Sequence, residues 1–485
     1  MKTKAENIAE WIIKISYEKI PKNVIEIGKQ QLLGMLGACY AGSTTIGGQI
    51  ILETIKSYNS KPEASIFPSG IKTSVLNALY TNCAFAMALD YDDYLLTTHT
   101  GTSAFSIPLA LGEKLDISGK EFLTCLIIGN EVMGRVGLSI YPPGEGQMQS
   151  FIHLAGGAVI GGRILGLSEK ELTSALGIAF YQAPLSIPVG FWGPHSKMLT
   201  SSIPAKIGVE SAYLAKNGFK GARTIFEDPQ GFCKYFSESD LEKILDSDLG
   251  EAWVSLTLSM KIYPGCAYVD SIADAIFKIL DKVKQSGKTL DYREIESIKI
   301  SNSLLSSMMD DMSRPFTNLE ELKRVQSPVA LNFYQPYNVA VILIDQKLTP
   351  EQFTVERFLE PSVHELAQKV EIAPDIGFSG KSAQIVPYGD IPNPNFHLGQ
   401  WDFSNWKMYC GCKVLIKMKS GDKWSAKVDI PKGAAGGNPY PMENKFTQEA
   451  KLVGMADSQI KKAIQMIKNL ENYNIREVVK LLIVN

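Results

Sequence analysis

The sequence predicts a mainly α protein, a large all-helical domain into which an α+β domain is inserted. Three observations predict it. Apolar residues recur three and four apart through most of residues 4–182. Beyond about residue 265, short segments alternate apolar and polar residues, the period of a half-buried strand. Helical spacing returns from residue 443. A chain of 485 residues also exceeds what one ordinary core organises.

Taken in order, helices are expected over 4–19, 23–39, 72–90, 104–114, 119–138, 155–166 and 169–182, with Gly, Pro or Ser breaks between them. Several are apolar on more than one face, as buried helices are. Ala155-Gly-Gly-Ala158 and Gly161-Gly162 put small residues one turn apart, where two helices can approach closely. No Gly-Lys-Ser/Thr follows, so a phosphate loop is not expected there. Ser202 and Pro204 read as a helix start and Gly218 as its stop. A further helix is expected over 267–284, then a strand at 298–301, a helix over 318–345 and a strand at 369–372. Segments 413–419 and 424–430 alternate around Ser420-Gly421-Asp422, a hairpin signal. The Gly- and Pro-rich stretch 431–442 reads as a linker. Helices over 443–455 and 458–471 and a short segment at 475–483 close the chain. The expected division is 1–265 helical, 266–436 α+β and 437–485 helical.

Composition narrows the function classes. Hydrophobic content of 45% with 21% charged residues is that of a folded globular protein. The net charge of −2 and the lack of a long basic cluster argue against nucleic acid. No run approaches the roughly 18 consecutive apolar residues of a membrane span, and the start lacks a signal-peptide core. Seven dispersed cysteines fit reduced thiols. Cys410-Gly-Cys412 has no second pair for zinc. A cytoplasmic protein is expected.

Three segments could carry chemistry. Asp90, Asp92 and Asp93 end the expected helix 72–90, where the helix dipole disfavours acids. Asp90 and Asp93 would share a face, and their repulsion would raise one pKa toward that of a general base. His99 follows on a Thr-rich loop. Lys197, after His195, would precede a helix N-terminus, and lysine, dipole and backbone N–H groups would form an anion site for a substrate carboxylate. Lys261 and Tyr263 lie in an extended stretch at the domain change, where clefts concentrate. Cys266 and Asp270 follow at a helix start, and an exposed Cys266 would have a lowered pKa there.

These segments, in this order, resemble the MmgE/PrpD family, which includes 2-methylcitrate dehydratases, cis-aconitate decarboxylases and iminodisuccinate epimerases. Asp90-Tyr-Asp-Asp…His99 resembles its Asp-rich segment. Leu165-Gly-Leu-Ser168, Ala175-Leu-Gly-Ile-Ala179, Lys197 and Lys206-Ile-Gly-Val-Glu-Ser follow its helical core. Lys261-Ile-Tyr-Pro-Gly-Cys266 resembles its domain junction. Pro336-Tyr-Asn-Val-Ala340, 413–417 and Pro441-Met-Glu-Asn-Lys-Phe446 match later landmarks. The resemblance implies a helical domain carrying an α+β lid domain, a homodimer, an active site in the cleft between the two domains, and no metal or organic cofactor. Asp90, His99, Lys197 and Lys261 would be active-site residues.

Departures accompany the likeness. Gln147 stands where several members carry histidine, with His153 nearby but offset. Cys266 and Asp270 replace two histidines, Leu305 a tyrosine and Tyr94 a threonine. The expected chemistry is lyase or isomerase: proton abstraction beside a carboxylate or carbonyl, ending in dehydration, isomerisation or epimerisation. Lys197 and Lys261 would hold the anion, and Asp90 and His99 would move protons. Tyr263 or Cys266 would serve the second face. Asp93, Gln147, His153, His195, Lys206 and Asp270 are expected to contact substrate. Phe191 and Trp192 hint at a larger, less polar substrate, as for a biosynthetic tailoring enzyme. The lost histidines also admit an inactive binding homologue. A terpene-cyclase reading of the Asp cluster lacks its second metal motif.

Overall fold

A computed structural model describes residues 2–96, 98–140, 147–237, 240–385, 396–397 and 400–484. Helix α1, Lys4–Lys14, opens on a capping box between Thr3 and Glu6 and ends at Ile15, whose backbone is extended. The helix expected to reach 19 is therefore shorter, and a separate 3-10 turn covers Tyr17–Lys19. Helix α2, Lys22–Ser43, runs into α3, Ile46–Lys56, which the apolar spacing did not reveal and which Thr45 caps. Strands β1, Ala64–Ile66, and β2, Ile71–Thr73, form a small antiparallel hairpin. Helix α4, Val75–Met87, starts only after that hairpin, so the expected 72–90 helix is trimmed at both ends.

Strand β3, Asp93–Leu95, leads to α5, Gly101–Leu115, α6, Gly119–Ser139, α7, Gln147–Ile164, and α8, Glu169–Tyr181. A short α9, Pro188–Phe191, precedes α10, Leu199–Lys216, and the short α11, Phe232–Phe236, follows it. Strand β4, Leu258–Met260, then pairs antiparallel with β3, placing Asp93 opposite Met260. Helix α6 is long and apolar enough to cross a membrane by composition, yet its apolar stretch is wholly buried in the fold.

Small residues set the helix crossings. A Cβ on Gly157 would stand 2.7 Å from the Cα of Gly208, so α7 and α10 touch backbone to backbone, as the glycine spacing predicts. A Cβ on Gly42 would fall 1.7 Å from the Phe85 carbonyl oxygen, fixing α2 against α4.

The second half builds on α12, Ala267–Gln285. Strand β5, Ile295–Asn302, follows, then helices α13, Leu304–Ser313, α14, Leu319–Val325, α15, Gln335–Asp345, α16, Val355–Phe358, and α17, Pro361–Ala367. The single helix expected over 318–345 is broken. Gln326 turns left-handed at φ 52°, and Pro328 removes an N–H and disfavours helix before it. Strand β6, Val370–Pro374, α18, Ile376–Ser382, and strands β7, Phe396–His397, β8, Gln400–Trp401, β9, Cys412–Met418, and β10, Lys423–Val428, complete this half. The main sheet has the order β10-β9-β5-β6, parallel only between β5 and β6. Ile298, Ile300, Val414 and Ile416 pack under Ile272 and Ile276 of α12 and Val339 and Ile342 of α15 in one core.

Helices α19, Met442–Leu452, α20, Asp457–Lys468, and α21, Ile475–Leu482, return to the first core, where Met442, Phe446, Ile467 and Val478 join Leu36 and Leu126. The architecture is mainly α, with one four-stranded sheet and three two-stranded pairs among the described residues.

Candidate active site

The chain leaves α4 through Asp90, whose φ of 48° turns it away from the helix path. Asp90, Asp92 and Asp93 therefore do not share a helical face. Asp93 turns into the helical core, where it accepts from Gln31 of α2 at 2.7 Å and from the Gly101 N–H at 2.9 Å. Burial, aided by Asp92, pushes its carboxyl up to about 6. The acid that helps raise Asp93 is Asp92, and Asp93 fastens the start of α5 to α2.

The pairing of Asp93 with Met260 carries the next residue, Lys261, against the acidic turn. Its Nζ donates to the Asp90 carbonyl at 2.6 Å, to Asp90 Oδ2 at 2.8 Å and to Asp92 Oδ1 at 3.5 Å, using all three donors. Lys197 donates to Asp90 Oδ1 at 2.6 Å and lies 3.5 Å from Met87 Sδ. The rings of Phe191 and Phe333 each stand 5.4 Å from its Nζ. Both ammonium groups are buried, as are both carboxylates. Two positive and two negative charges thus balance within a desolvated cluster, the condition for keeping ions inside a fold.

This balance corrects the expected role of Asp90. Burial alone would raise its carboxyl, but Lys197 and Lys261 outweigh it and hold the group far below the ordinary range. Asp90 is a fixed anion, unsuited to take up a proton near neutral pH. Burial likewise opposes ionisation of Asp92, and His99 and Lys261 bring it down to about 2. Lys261, despite burial, is held above the ordinary lysine range by Asp90 and Asp92.

His99 is brought to this cluster, its Nδ1 2.9 Å from Asp92 Oδ2. His153 of α7 is wholly buried with Nδ1 2.7 Å from Ser103 Oγ, and its Nε2 has no partner among the described residues. Burial lowers His153 to about 3, so its ring is neutral, and it lies within electrostatic range of Asp92 and His99.

Other expectations fare differently. Helix α10 begins at Leu199, so Ser202 and Pro204 are inside it and Lys197 sits on the 3-10 turn His195–Met198. The helix that Lys197 precedes starts at Leu199 and not at Ser202, and the Lys197 ammonium rests on Asp90. His195 packs its ring against Gly47 of α3. Lys206 is half-buried on α10, with no hydrogen bond or ion pair joining it to the cluster. The side chain of Gln147 lies outside the described residues. Cys266 caps α12 and is buried, which pushes its thiol up, the reverse of the activation expected for an exposed one. Asp270 accepts the Tyr263 N–H at 3.1 Å, and burial raises its carboxyl well above the usual range. The Tyr263 hydroxyl points to Asp274 at 3.5 Å, and burial raises it too. Tyr263 and Asp270 fasten the Lys261 segment to α12. Leu305 is 60% exposed on α13.

Sequence reasoning gave no role to Lys445, Ser103 or Phe333. Lys445 carried a readable signal: with Met442, Phe446 and Glu449 it repeats at three and four on the buried face of α19, a lysine where an apolar residue is expected. Ser103 and Phe333 carried none, since their partners are distant in sequence.

Asp90, Asp92 and His99 offer ligand atoms within 4.8 Å of one another, a donor set a divalent cation would accept. The ammonium groups of Lys197 and Lys261 already compensate those carboxylates.

Comparison with known proteins places this cluster in context. Residues 6–244 match the MmgE/PrpD N-terminal domain and residues 263–387 the MmgE/PrpD C-terminal domain. A cis-aconitate decarboxylase of Aspergillus terreus is 25% identical over 385 residues, 75% of this chain and 76% of that protein. The Homo sapiens cis-aconitate decarboxylase is 24% identical over 494 residues, 97% of this chain and 92% of its own length. That of Mus musculus is 23% identical over 395 residues, covering 77% and 76%. The two domain matches flank Lys261 and the first contains Asp90, His99 and Lys197, and on this ground the chain is an enzyme of the MmgE/PrpD family.

Proposed function

We propose that the protein is a cofactor-independent lyase that moves a proton on carbon beside a carboxylate or carbonyl, with His99 as the proton-transfer group. The contact of His99 with Asp92 carries this reading. With Nδ1 donating to that carboxylate, the ring is held in the tautomer whose Nε2 is the proton-accepting nitrogen. Lys197 spends one N–H on Asp90 and leaves donor capacity for a substrate anion or the enolate charge that develops. His153, a neutral ring whose Nε2 has no partner among the described residues, would hydrogen-bond the substrate or a water beside it rather than exchange a proton. The same groups serve elimination of water, isomerisation, epimerisation or, as the names of the relatives suggest, protonation of a carbon that has lost carbon dioxide.

The substrate we infer is smaller or less charged than a tricarboxylate. Phe191 and Phe333 supply apolar walls around Lys197, and Asp90 and Asp92 would repel further negative charge. A larger, less polar tailoring substrate suits the same walls. We further propose that 1–265 and 437–485 form one helical domain, that 266–436 is the lid over the cluster, and that the enzyme is a cytoplasmic homodimer.

The test is incubation in deuterated water with cis-aconitate, 2-methylcitrate and a panel of smaller dicarboxylic and keto acids, followed by NMR. Deuterium should enter one of the smaller acids, in EDTA as well as without it, and His99→Gln should slow this by about 10²–10⁴-fold. Fast turnover of either tricarboxylate would overturn the substrate inference. Exchange that is undiminished in His99→Gln would overturn the mechanism, and no reaction with any acid would favour a binding homologue.

A further inference from the structure

We propose that Lys445 of α19 is a positioning residue that holds the two backbone segments bearing Asp90, Asp92 and Lys261 in register. The proposal rests on the reading of that cluster as the reaction site. Lys445 is 3% exposed, and its Nζ donates to the Tyr91 carbonyl at 2.5 Å and to the Lys261 carbonyl at 3.1 Å. Tyr91 stands between Asp90 and Asp92, and Lys261 supplies the ammonium that bridges them. One side chain from the C-terminal return thus grips the peptide groups on both sides of the cluster. Its Nζ also lies 3.5 Å from the centroid of the Tyr91 ring, a cation–π contact. The Tyr91 hydroxyl donates to the Ile262 carbonyl at 3.1 Å and faces Glu449, one turn along α19 from Lys445. Gln31, Asp93, Lys261 and Lys445 share the walls of one narrow packing gap.

Stability alone gives no reason for this lysine. Its flanking residues Met442 and Phe446 are in the core, and an apolar side chain would continue that pattern. Instead an ammonium is buried without a carboxylate in ion-pair contact among the described residues, which is destabilising. Burial draws it down to about 7, opposed in part by Glu449, Asp270, Asp92 and Asp93. A residue that breaks the pattern of its own helix without a stability gain marks a functional constraint. Here the constraint is geometric, since a displacement of about 1 Å at a reacting group lowers turnover by roughly 10²-fold.

Lys445→Met keeps the side-chain volume and removes the donors, so it separates clamping from packing. Hydrogen–deuterium exchange on the full chain should become about tenfold faster in peptides covering 88–96 and 258–264, with α7 and the β9–β10 hairpin unchanged. Lys445→Ala should show the same pattern, and n-propylamine should restore slow exchange in both segments. On the acid turned over in the panel above, Lys445→Met should lower kcat by about 10–100-fold and leave KM within about threefold. Unchanged exchange in both segments, or acceleration throughout the fold, would overturn the proposal. The exchange measurement needs no substrate. If it behaves as expected while His99→Gln keeps full activity, the clamp stands and the reading of the site falls.

Discussion

Burying an imidazole as a neutral ring links His153 to the acid stability of the whole fold. Its pKa lies at about 3 in the folded chain, below the ordinary 6.5. Between these values the unfolded chain binds a proton that the folded chain does not. The contribution is therefore complete above about pH 6.5 and is lost as pH falls toward 3. His153→Gln should flatten the stability profile in that window by close to one proton, about 1.4 kcal/mol per pH unit. Urea denaturation of both proteins from pH 7 to 4 measures the difference, and parallel profiles would show that His153 takes up a proton readily when folded. Asp90 shows how distant residues reverse a local effect. Its repulsion from other acids was visible in the sequence, but the lysines that reverse the effect come from positions 197 and 261. A pKa follows the nearest charges in space, and chain distance conceals them.

Between elements, the absence of a side chain sets how closely two helices approach. The crossing of α2 and α4 admits nothing at Gly42, where a Cβ would overlap the Phe85 carbonyl. Gly42→Ala should cost about 3 kcal/mol or more, because two packed helices must separate. Gly380→Ala on α18, where a Cβ would meet nothing within 4 Å, should be neutral or slightly stabilising. Calorimetric Tm values for the two variants test this, and equal Tm values would show that α2 and α4 have room to adjust. The same scale contains the clearest departures from periodicity. Apolar spacing runs through 318–345 without interruption, but Pro328 and the left-handed Gln326 divide it. Helix α4 stops at Met87 although apolar residues continue, since Asp90 must turn toward Lys197 and Lys261.

Over the whole molecule, the stretch from the end of α8 into α9 presents apolar side chains to solvent. Tyr181 is 83% exposed, Ile187 60% and Val189 65%, and exposed apolar surface is where a partner docks. A second copy of the chain covering this face fits the expected homodimer. Light scattering at micromolar concentration should give about twice the subunit mass of 53.3 kDa, and Ile187→Glu with Val189→Glu should shift it to the single value. A wild-type mass of one subunit would remove the dimer from the proposal. The C-terminal return matters at this scale as well, because α19 brings Lys445 to a cluster whose charged groups lie before residue 262.

By itself the sequence determined the mainly α character, the 412–428 hairpin, the close α7–α10 crossing and the family, because each depends on local spacing or on ordered motifs along the chain. It also marked His99 as one of only five histidines, Asp90 as an acid at a helix end, and Lys197 and Lys261 through the family likeness. Only the tertiary structure decided what these residues do to one another. The β3–β4 pairing sets Lys261 on Asp90, the turn at Asp90 parts it from Asp93, and α7 brings in His153. Charge pairing and desolvation act over a few ångströms between segments 50 to 171 residues apart, and the chain order carries no record of which of them will meet.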